Sequence, residues 1–240
     1  AEYGDYALAL TAIGLLPPLL VTGVMAGLVL LQPDFGTAIL MGASAFILLY
    51  VAKAKWQHLA GLLGIAAIVL VVLIAGAAYR RARIMAFLNP WGDPQGSGYQ
   101  ILQSYIALAS GGVLGLGDGA SVQKLFFLPS AHTDFIFALI GEELGFIGTT
   151  AVLGLFALFL LCGCKIAMAA QDPFHKYLVC GLVAMLGLEA IVNIAIVTGL
   201  LPTKGLPLPF ISYGGSSMVM NLVACALILK VSHDGERCHG

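Results

Sequence analysis

Asp134 is the side chain in this sequence that best suits acid-base chemistry. It lies where a polar stretch ending in His132 and Thr133 changes into a long apolar segment. Thr133 as N-cap would place Asp134 in the first helical turn, where the helix dipole favours a carboxylate. An ionisable group at a membrane boundary, beside His132, equally suits a functional role. The spacing alone leaves both interpretations open.

Two further carboxylates, Glu142 and Glu143, lie two turns further along the same apolar segment. A charged side chain inside a span costs about 2.5–3.5 kcal/mol on insertion scales. Adjacent helical positions differ by about 100°, so the two cannot face one partner, and one is expected to face a cavity or a buried cation. Glu189 and Asn193, one turn apart in a later segment, either join helices by hydrogen bonding or line a cavity.

Two turns supply other polar candidates. Asp34 follows a proline and either caps a helix or presents a polar group to an outward cavity. The proline-rich stretch 201–217 contains Lys204 and ends in small residues, which favour close helix packing. We therefore predict that Gly214 and Gly215 touch a neighbouring helix. The alternative is that the serines of this stretch bind a polar head group: Ser212, Ser216 and Ser217.

A glycine-rich stretch over residues 111–119 precedes Gln123 and Lys124. It is not a P-loop, because Gly-Lys-Ser/Thr does not follow at the required spacing. Its backbone amides would suit an anion site with Lys124 nearby. A flexible surface loop is the alternative.

The composition shows what surrounds these residues. Of the 240 residues, 60% are hydrophobic and 10% are charged, against about 25% charged in a soluble domain. Mean hydropathy is +0.99. The net charge of -1 and the lack of a basic stripe argue against nucleic-acid binding. The cysteines lack zinc spacing, so we predict no metal site and interpret them as small apolar residues.

Six apolar segments predict an all-α, polytopic helical bundle in a membrane, since a span needs about 20 apolar residues. They cover roughly 17–31, 36–52, 58–79, 134–161, 177–200 and 209–230. Pro17 and Pro18 are predicted to begin the first helix. The whole chain is interpreted as one transmembrane domain with a large loop at 80–133, whose apolar piece 99–109 is too short to span and lies on the surface or re-enters.

Lysine and arginine in short loops predict the orientation. Basic residues follow the second, fourth and sixth segments, so those three regions are predicted to be cytoplasmic: Lys53, Lys55, Lys165, Lys176, Lys230 and Arg237. The Asp34 turn, the 80–133 loop and the Lys204 loop then lie together on the outer side. The polar candidates are therefore expected to converge there.

These stretches together resemble the SEDS family (shape, elongation, division and sporulation proteins). The matching motifs recur in the family's order at 32–37, 89–91, 96–100, 103–104, 121–125, 128–135, 142–145 and 199–217. The SVQKL and PTKG motifs resemble the division member more than the elongation member. The resemblance implies a ten-span fold of which these are the last six spans, so four further spans are expected upstream, and Ala1 looks like a cut within a longer protein.

The resemblance implies an enzyme that polymerises lipid II at the outer face of the bacterial cytoplasmic membrane, at the division septum, and releases undecaprenyl pyrophosphate. Asp134 matches the family's essential aspartate and is the predicted general base, and a divalent cation, Mg²⁺ or Mn²⁺, is an open cofactor. The predicted substrate-binding residues are His132, Thr133, Lys124, Gln123, Arg83, Lys204, Ser212, Ser216, Asp34 and Glu142.

The implied partners are a class B penicillin-binding protein, which is a transpeptidase, and other divisome proteins. Two other function classes stay open from the sequence. A lipid II flippase would use intramembrane carboxylates such as Glu142 and Glu189 to move the lipid without making polymer. A scaffold that only recruits the transpeptidase would tolerate the loss of Asp134.

Overall fold

In the computed structural model of the chain, the described residues are 2–32, 34–117 and 132–237, with side chains described from 14 to 234. These residues form eight α-helices and a short 3₁₀ turn at Pro90–Gly92. The helices are α1 (Glu2–Leu31), α2 (Phe35–Val51), α3 (Trp56–Ala75), α4 (Ala78–Leu88), α5 (Tyr99–Gly111), α6 (Ile136–Ala169), α7 (Pro173–Val197) and α8 (Gly215–Arg237).

Five of these helices are long and apolar enough to cross a membrane: α1, α3, α6, α7 and α8. Helix α2 is equally apolar but shorter, with 17 residues. Together they confirm the predicted all-α membrane bundle of about six spans.

The first helix corrects one prediction. Helix α1 begins at Glu2 and continues through Pro17 and Pro18, rather than starting there. Inside a membrane, a helix satisfies its backbone polar groups internally. Prolines are tolerated within spans because neighbouring helices and side chains satisfy the groups that a proline leaves free. The predicted lead-in before residue 17 is therefore helical.

Helix α7 lies at the centre of the bundle and contacts α2, α5, α6 and α8. Glycines allow the close approach to α6: a Cβ on Gly163 would lie 2.4 Å from Val183, and one on Gly187 would lie 2.5 Å from Leu160. One apolar core fills the space between α5, the start of α6, α7 and the loop after α7: Ala107, Phe135, Phe137, Ala138, Ala190, Val197 and Leu208.

The glycine-rich stretch is built into the bundle as far as residue 117. Helix α6 breaks at Gly145, whose φ of 66° favours glycine. The break is held by backbone hydrogen bonds with the segment after α5: Leu116 N to Glu142 O (3.0 Å), Gly117 N to Glu143 O (3.0 Å), Phe146 N to Gly112 O (2.9 Å) and Ile147 N to Val113 O (3.3 Å). The amides of residues 116 and 117 thus bind helix carbonyls rather than an anion.

Helix α5 packs its buried face, including Ile101, Ser104 and Ala107, against α6 and α7. The Ser104 hydroxyl donates to the carbonyl of Val197 at 3.2 Å. The short apolar piece is therefore joined to the bundle, and Gly111, the last residue of α5, fits directly against the carbonyl of Gly141. This contact places the end of α5 beside the start of α6.

Candidate functional site

Four charged side chains from distant parts of the sequence lie at one end of the bundle. Asp34 precedes α2, Arg83 lies in α4, Asp134 precedes α6, and Lys204 lies in the loop after α7. Lys204 forms an ion pair with Asp34, and Arg83 Nη1 donates to the carbonyl of Thr203 at 3.4 Å. We call these four residues the polar end. Their convergence confirms the prediction that the polar turns lie together.

Asp34 is the N-cap of α2. Its carboxylate accepts from Thr37 N at 3.1 Å and from Thr37 Oγ1 at 2.7 Å, and it binds Lys204. Burial raises the pKa of Asp34, but the hydrogen bonds from Lys204 and Thr37 outweigh this effect, so the pKa lies below its ordinary value. The Lys204 stem lies over Gly36, where a Cβ would be 2.5 Å from Lys204 Cε. Asp34 is thus a capped, ion-paired carboxylate.

Asp134 is half-buried and lies two residues before α6 begins. The N-cap position is Phe135, which supplies no side-chain cap, so the prediction that Thr133 caps this helix is wrong. The reason is that the backbone here is held by distant residues: the carbonyl of Thr133 accepts from Ser212 Oγ at 2.5 Å, and that of Asp134 accepts from Asn193 Nδ2 at 2.8 Å. These bonds hold the segment before α6 in a conformation in which Phe135, not Thr133, is the N-cap residue.

The Asp134 carboxyl faces the loop after α7. A Cβ on Gly205 would lie 2.8 Å from Asp134 Oδ2, so only a glycine lets the loop pass this close. Burial raises the pKa of Asp134, and the charge of Lys204 offsets part of that rise. A carboxyl with a raised pKa, beside a lysine, has the properties expected of a general base.

The loop after α7 is fixed by two polar side chains. Ser212 is buried; its hydroxyl accepts from Leu208 N at 2.6 Å and donates to Thr133 O. Asn193 donates to the carbonyls of both Asp134 and Leu206. Ser212 therefore positions backbone, and its binding of a polar head group stays a prediction. Of the two alternatives for Asn193, joining elements is the observed one.

The remaining predicted site residues lie in different surroundings. Glu142 is buried in α6 at 1% exposure, below the polar end, whereas His132 and Ser216 are exposed. Gln123 and Lys124 lie outside the described residues. His132 lines a cavity of about 600 Å³ together with Ile136, Ile211, Ser212, Tyr213, Gly214, Gly215 and Met218.

This cavity corrects the prediction for the two glycines at the start of α8. A Cβ on Gly214 would meet its own segment, at Ser217 Cβ 3.6 Å away, and one on Gly215 would meet no described atom within 4 Å. Both glycines therefore leave open space rather than bringing helices together. The close helix contacts lie instead at Gly163 and Gly187.

A second arginine of α4, Arg80, lies beside the start of α2. Arg80 stacks over the ring of Phe35, 5.2 Å from its centroid, and its Nη1 donates to the carbonyl of Leu73 at 2.7 Å. A second cavity, of about 410 Å³, lies beside Arg83 and is lined by Tyr79, Ala82, Gln95, Gly96, Ser97, Tyr99, Gln100 and Thr203. Two cavities, one lined in part by His132 and the other by Arg83, thus open near this end.

The polar end does not offer a ready metal site. The described residues bring no group of three or more His, Cys, Asp or Glu side chains together. The cation beside Asp34 and Asp134 is the Lys204 ammonium itself.

The fold agrees with that of the chain's relatives. A family model for FtsW, RodA and SpoVE proteins, described as "Cell cycle protein", matches residues 6–237. The chain therefore belongs to this family, the SEDS family that its motifs resemble. It is 45% identical to a "Probable peptidoglycan glycosyltransferase FtsW" of Geobacter metallireducens, over 91% of this chain and 58% of the relative.

Two other relatives broaden this comparison. The "Stage V sporulation protein E" of Bacillus subtilis is 45% identical over 85% of this chain and 56% of its own length. A solved structure titled "Structural coordination of polymerization and crosslinking by a peptidoglycan synthase complex" superposes with a TM-score of 0.74 and 32% identity, over 91% of this chain and 61% of that one. The chain thus spans less than two thirds of the length of each relative.

Proposed function

We propose that this chain carries the catalytic end of a peptidoglycan glycosyltransferase that joins lipid II units into glycan strands. The observation that carries the proposal is the half-buried Asp134 carboxyl, held against Gly205 and within electrostatic reach of Lys204. The names of relatives that are 45% identical support the same activity.

In the proposed reaction, Asp134 accepts the proton of the 4-hydroxyl of the incoming GlcNAc. That oxygen bonds to the anomeric carbon of the growing strand's terminal MurNAc, and the bond from this carbon to undecaprenyl pyrophosphate breaks. The α-linked donor gives a β-1,4 product, so the displacement inverts. Burial helps because a carboxylate with a raised pKa is a stronger base, while Lys204 favours its ionised form near neutral pH.

The leaving pyrophosphate gathers negative charge, which fixed cations stabilise. Two described cations lie at the loop after α7. Lys204 pairs with Asp34, and Arg83 donates to the carbonyl of Thr203. We assign them to the pyrophosphate, with Lys124 as a further proposed contact. A divalent cation, if required, would bind mainly through the pyrophosphate oxygens.

The proposed setting is the outer face of the bacterial cytoplasmic membrane at the division septum. Basic residues in the short connections at the other end of the bundle favour a cytoplasmic location for that end. The proposed partner is a class B penicillin-binding protein, with other divisome proteins. One structural relative belongs to a complex whose title joins polymerisation with crosslinking, which supports this pairing.

The test is polymerisation of purified lipid II by the protein at its full native length, together with its transpeptidase. The wild type should make glycan strands, and Asp134→Asn should lower the rate by about 10²–10⁴ because it removes the base. Asp172→Asn is the control: Asp172 is likewise an aspartate at the start of a long apolar helix, but it caps that helix, α7, through Phe174 N at 3.1 Å. Its rate should stay within about twofold, since Asn also caps.

Transport provides the contrasting outcome. A wild type that moves lipid II across vesicles but makes no polymer would replace this proposal with the flippase alternative. Equal polymerisation by wild type and Asp134→Asn would return Asp134 to a structural role. Partner co-purification of each variant shows that the fold is retained.

A further inference from the structure

Asn193 is a buried polar side chain that binds two backbone segments at once. It lies in α7 with 1% of its surface exposed. Its Nδ2 donates to the carbonyl of Asp134 at 2.8 Å and to the carbonyl of Leu206 at 2.5 Å. Because both acceptors are carbonyl oxygens, only the NH₂ side of the amide can face them.

The surroundings of Asn193 show that its polarity serves these two bonds. Ala190 and Val197, on the same face of α7, belong to the apolar core. The Oδ1 atom of Asn193 is buried and has no hydrogen-bond partner among the described residues. An unpaired buried oxygen such as Oδ1 is unfavourable. Without the two hydrogen bonds of the NH₂ group, an apolar side chain would therefore suit this position better.

The two carbonyls belong to the two walls of the proposed catalytic site. Asp134 supplies the carboxyl, and Leu206 directly follows Lys204 and Gly205, which face that carboxyl. The loop contains three prolines that lack a backbone N–H (Pro202, Pro207 and Pro209), so fewer of its own donors can fix its shape. Asn193 therefore sets the distance between the carboxyl and the loop from a rigid helix.

We propose that Asn193 is the positioning residue of the Asp134 base. It acts through the backbone of Asp134 and of the Lys204 loop, and contacts no substrate. The inference rests on the proposed function, because its readout is the polymerisation rate. Replacing Asn193 keeps Asp134, Lys204 and Gly205. It should change only the distance between the Asp134 carboxyl and the loop.

The test compares Asn193→Leu with Asn221→Leu in the full-length protein with its transpeptidase. Asn221, in α8, is also buried, at 4% exposure, and its Nδ2 contacts Ser217 Oγ at 3.4 Å. Both substitutions remove a buried amide of equal size. Asn193→Leu should lower kcat for lipid II polymerisation about 10²-fold with KM within about threefold, since a small misplacement of a catalytic group has this effect. Asn221→Leu should change kcat by less than about threefold.

The pH profile separates positioning from general loss of structure. A carboxyl released from Gly205 loses its burial, so its pKa falls and the acid limb of the Asn193→Leu profile should move to lower pH. Asn193→Gln keeps the donors on a longer side chain and should recover part of the rate. If the Leu variant fails to accumulate, the Gln variant can be compared with the wild type instead. A purely structural role for Asn193 would leave the acid limb of the Gln variant at the wild-type pH.

The outcomes are distinguishable. If the wild type makes no polymer, the proposed function fails. If the wild type is active and the Asn193 variants match Asn221→Leu in kcat and in pH profile, the positioning role is wrong and the proposed function stands.

Discussion

The turn that carries Asp34 and the turn that carries Asp134 look alike in the sequence, since each places an aspartate before an apolar helix. In the structure they differ. Asp34 caps α2 and pairs with Lys204, and its pKa is lowered by these hydrogen bonds. Asp134 caps no helix, and its pKa is raised by burial. Both carboxyls lie near the same lysine.

The difference arises from what occupies the helix N-terminus. At α2 the carboxylate itself accepts from Thr37. Before α6 the chain is held through its carbonyls by Ser212 and Asn193, and neither of these bonds uses the Asp134 carboxyl. A carboxylate already used by donors is a weaker base than one that is half-buried with few donors. The comparison therefore supports Asp134 as the proposed base, with Asp34 as the carboxylate that holds Lys204.

After Asp134→Asn, removing the shared lysine should have the largest effect. Lys204→Met keeps most of the stem over Gly36 but removes the charge, so polymerisation should fall about 10²–10³-fold as the pyrophosphate loses a stabilising cation. The pKa of Asp134 should rise further without the lysine, which moves the acid limb of activity to higher pH. Lys230→Met, which breaks the exposed pair with Asp234 at 2.9 Å, is the control. An unchanged acid limb in Lys204→Met would show that the lysine does not act on Asp134.

Neutralising Asp34 should have a smaller effect with the opposite shift in pH. Asn at position 34 still accepts from Thr37 N, so the cap is kept. The lysine then acts more strongly on Asp134, whose pKa falls, and the acid limb should move to lower pH. We expect a rate loss of about tenfold, because Lys204 is less well held. A loss as large as that of Asp134→Asn would contradict the division of roles between the two carboxyls.

The smallest expected effects concern the glycine beside each carboxyl. Gly205→Ala places a methyl group 2.8 Å from Asp134 Oδ2 and should lower the polymerisation rate about tenfold or less. Gly36→Ala meets only the flexible Lys204 stem and should lower it about two- to threefold. Initial rates of lipid II polymerisation measure both. A larger rate loss for Gly36→Ala than for Gly205→Ala would show that the activity depends more on the surroundings of Asp34 than on those of Asp134.

Much of this arrangement could be predicted from the sequence, because hydropathy and short-loop charges are local signals. They predicted about six spans and the meeting of Asp34, Asp134 and Lys204 at one end. The start of α1 was wrong, since Pro17 is a poor boundary signal within a membrane span.

The predictions that failed depended on contacts between distant residues. Thr133 has the right residue type for a cap, but Ser212, 79 residues away, fixes its carbonyl instead. Gly214 and Gly215 resemble a packing motif, yet α8 meets its neighbours elsewhere. Asn193 gave only an even choice between joining helices and lining a cavity, because one of its partners lies 59 residues away.

The pH dependence of polymerisation in the wild type, Asp34→Asn and Asp134→Asn identifies the base most directly. A base must be ionised, so wild-type activity should be lost as the pH falls through a pKa above the ordinary value for aspartate. This acid limb should persist in Asp34→Asn, shifted to lower pH, and should be absent from the residual activity of Asp134→Asn. An acid limb that remains unchanged in Asp134→Asn would show that another group accepts the proton.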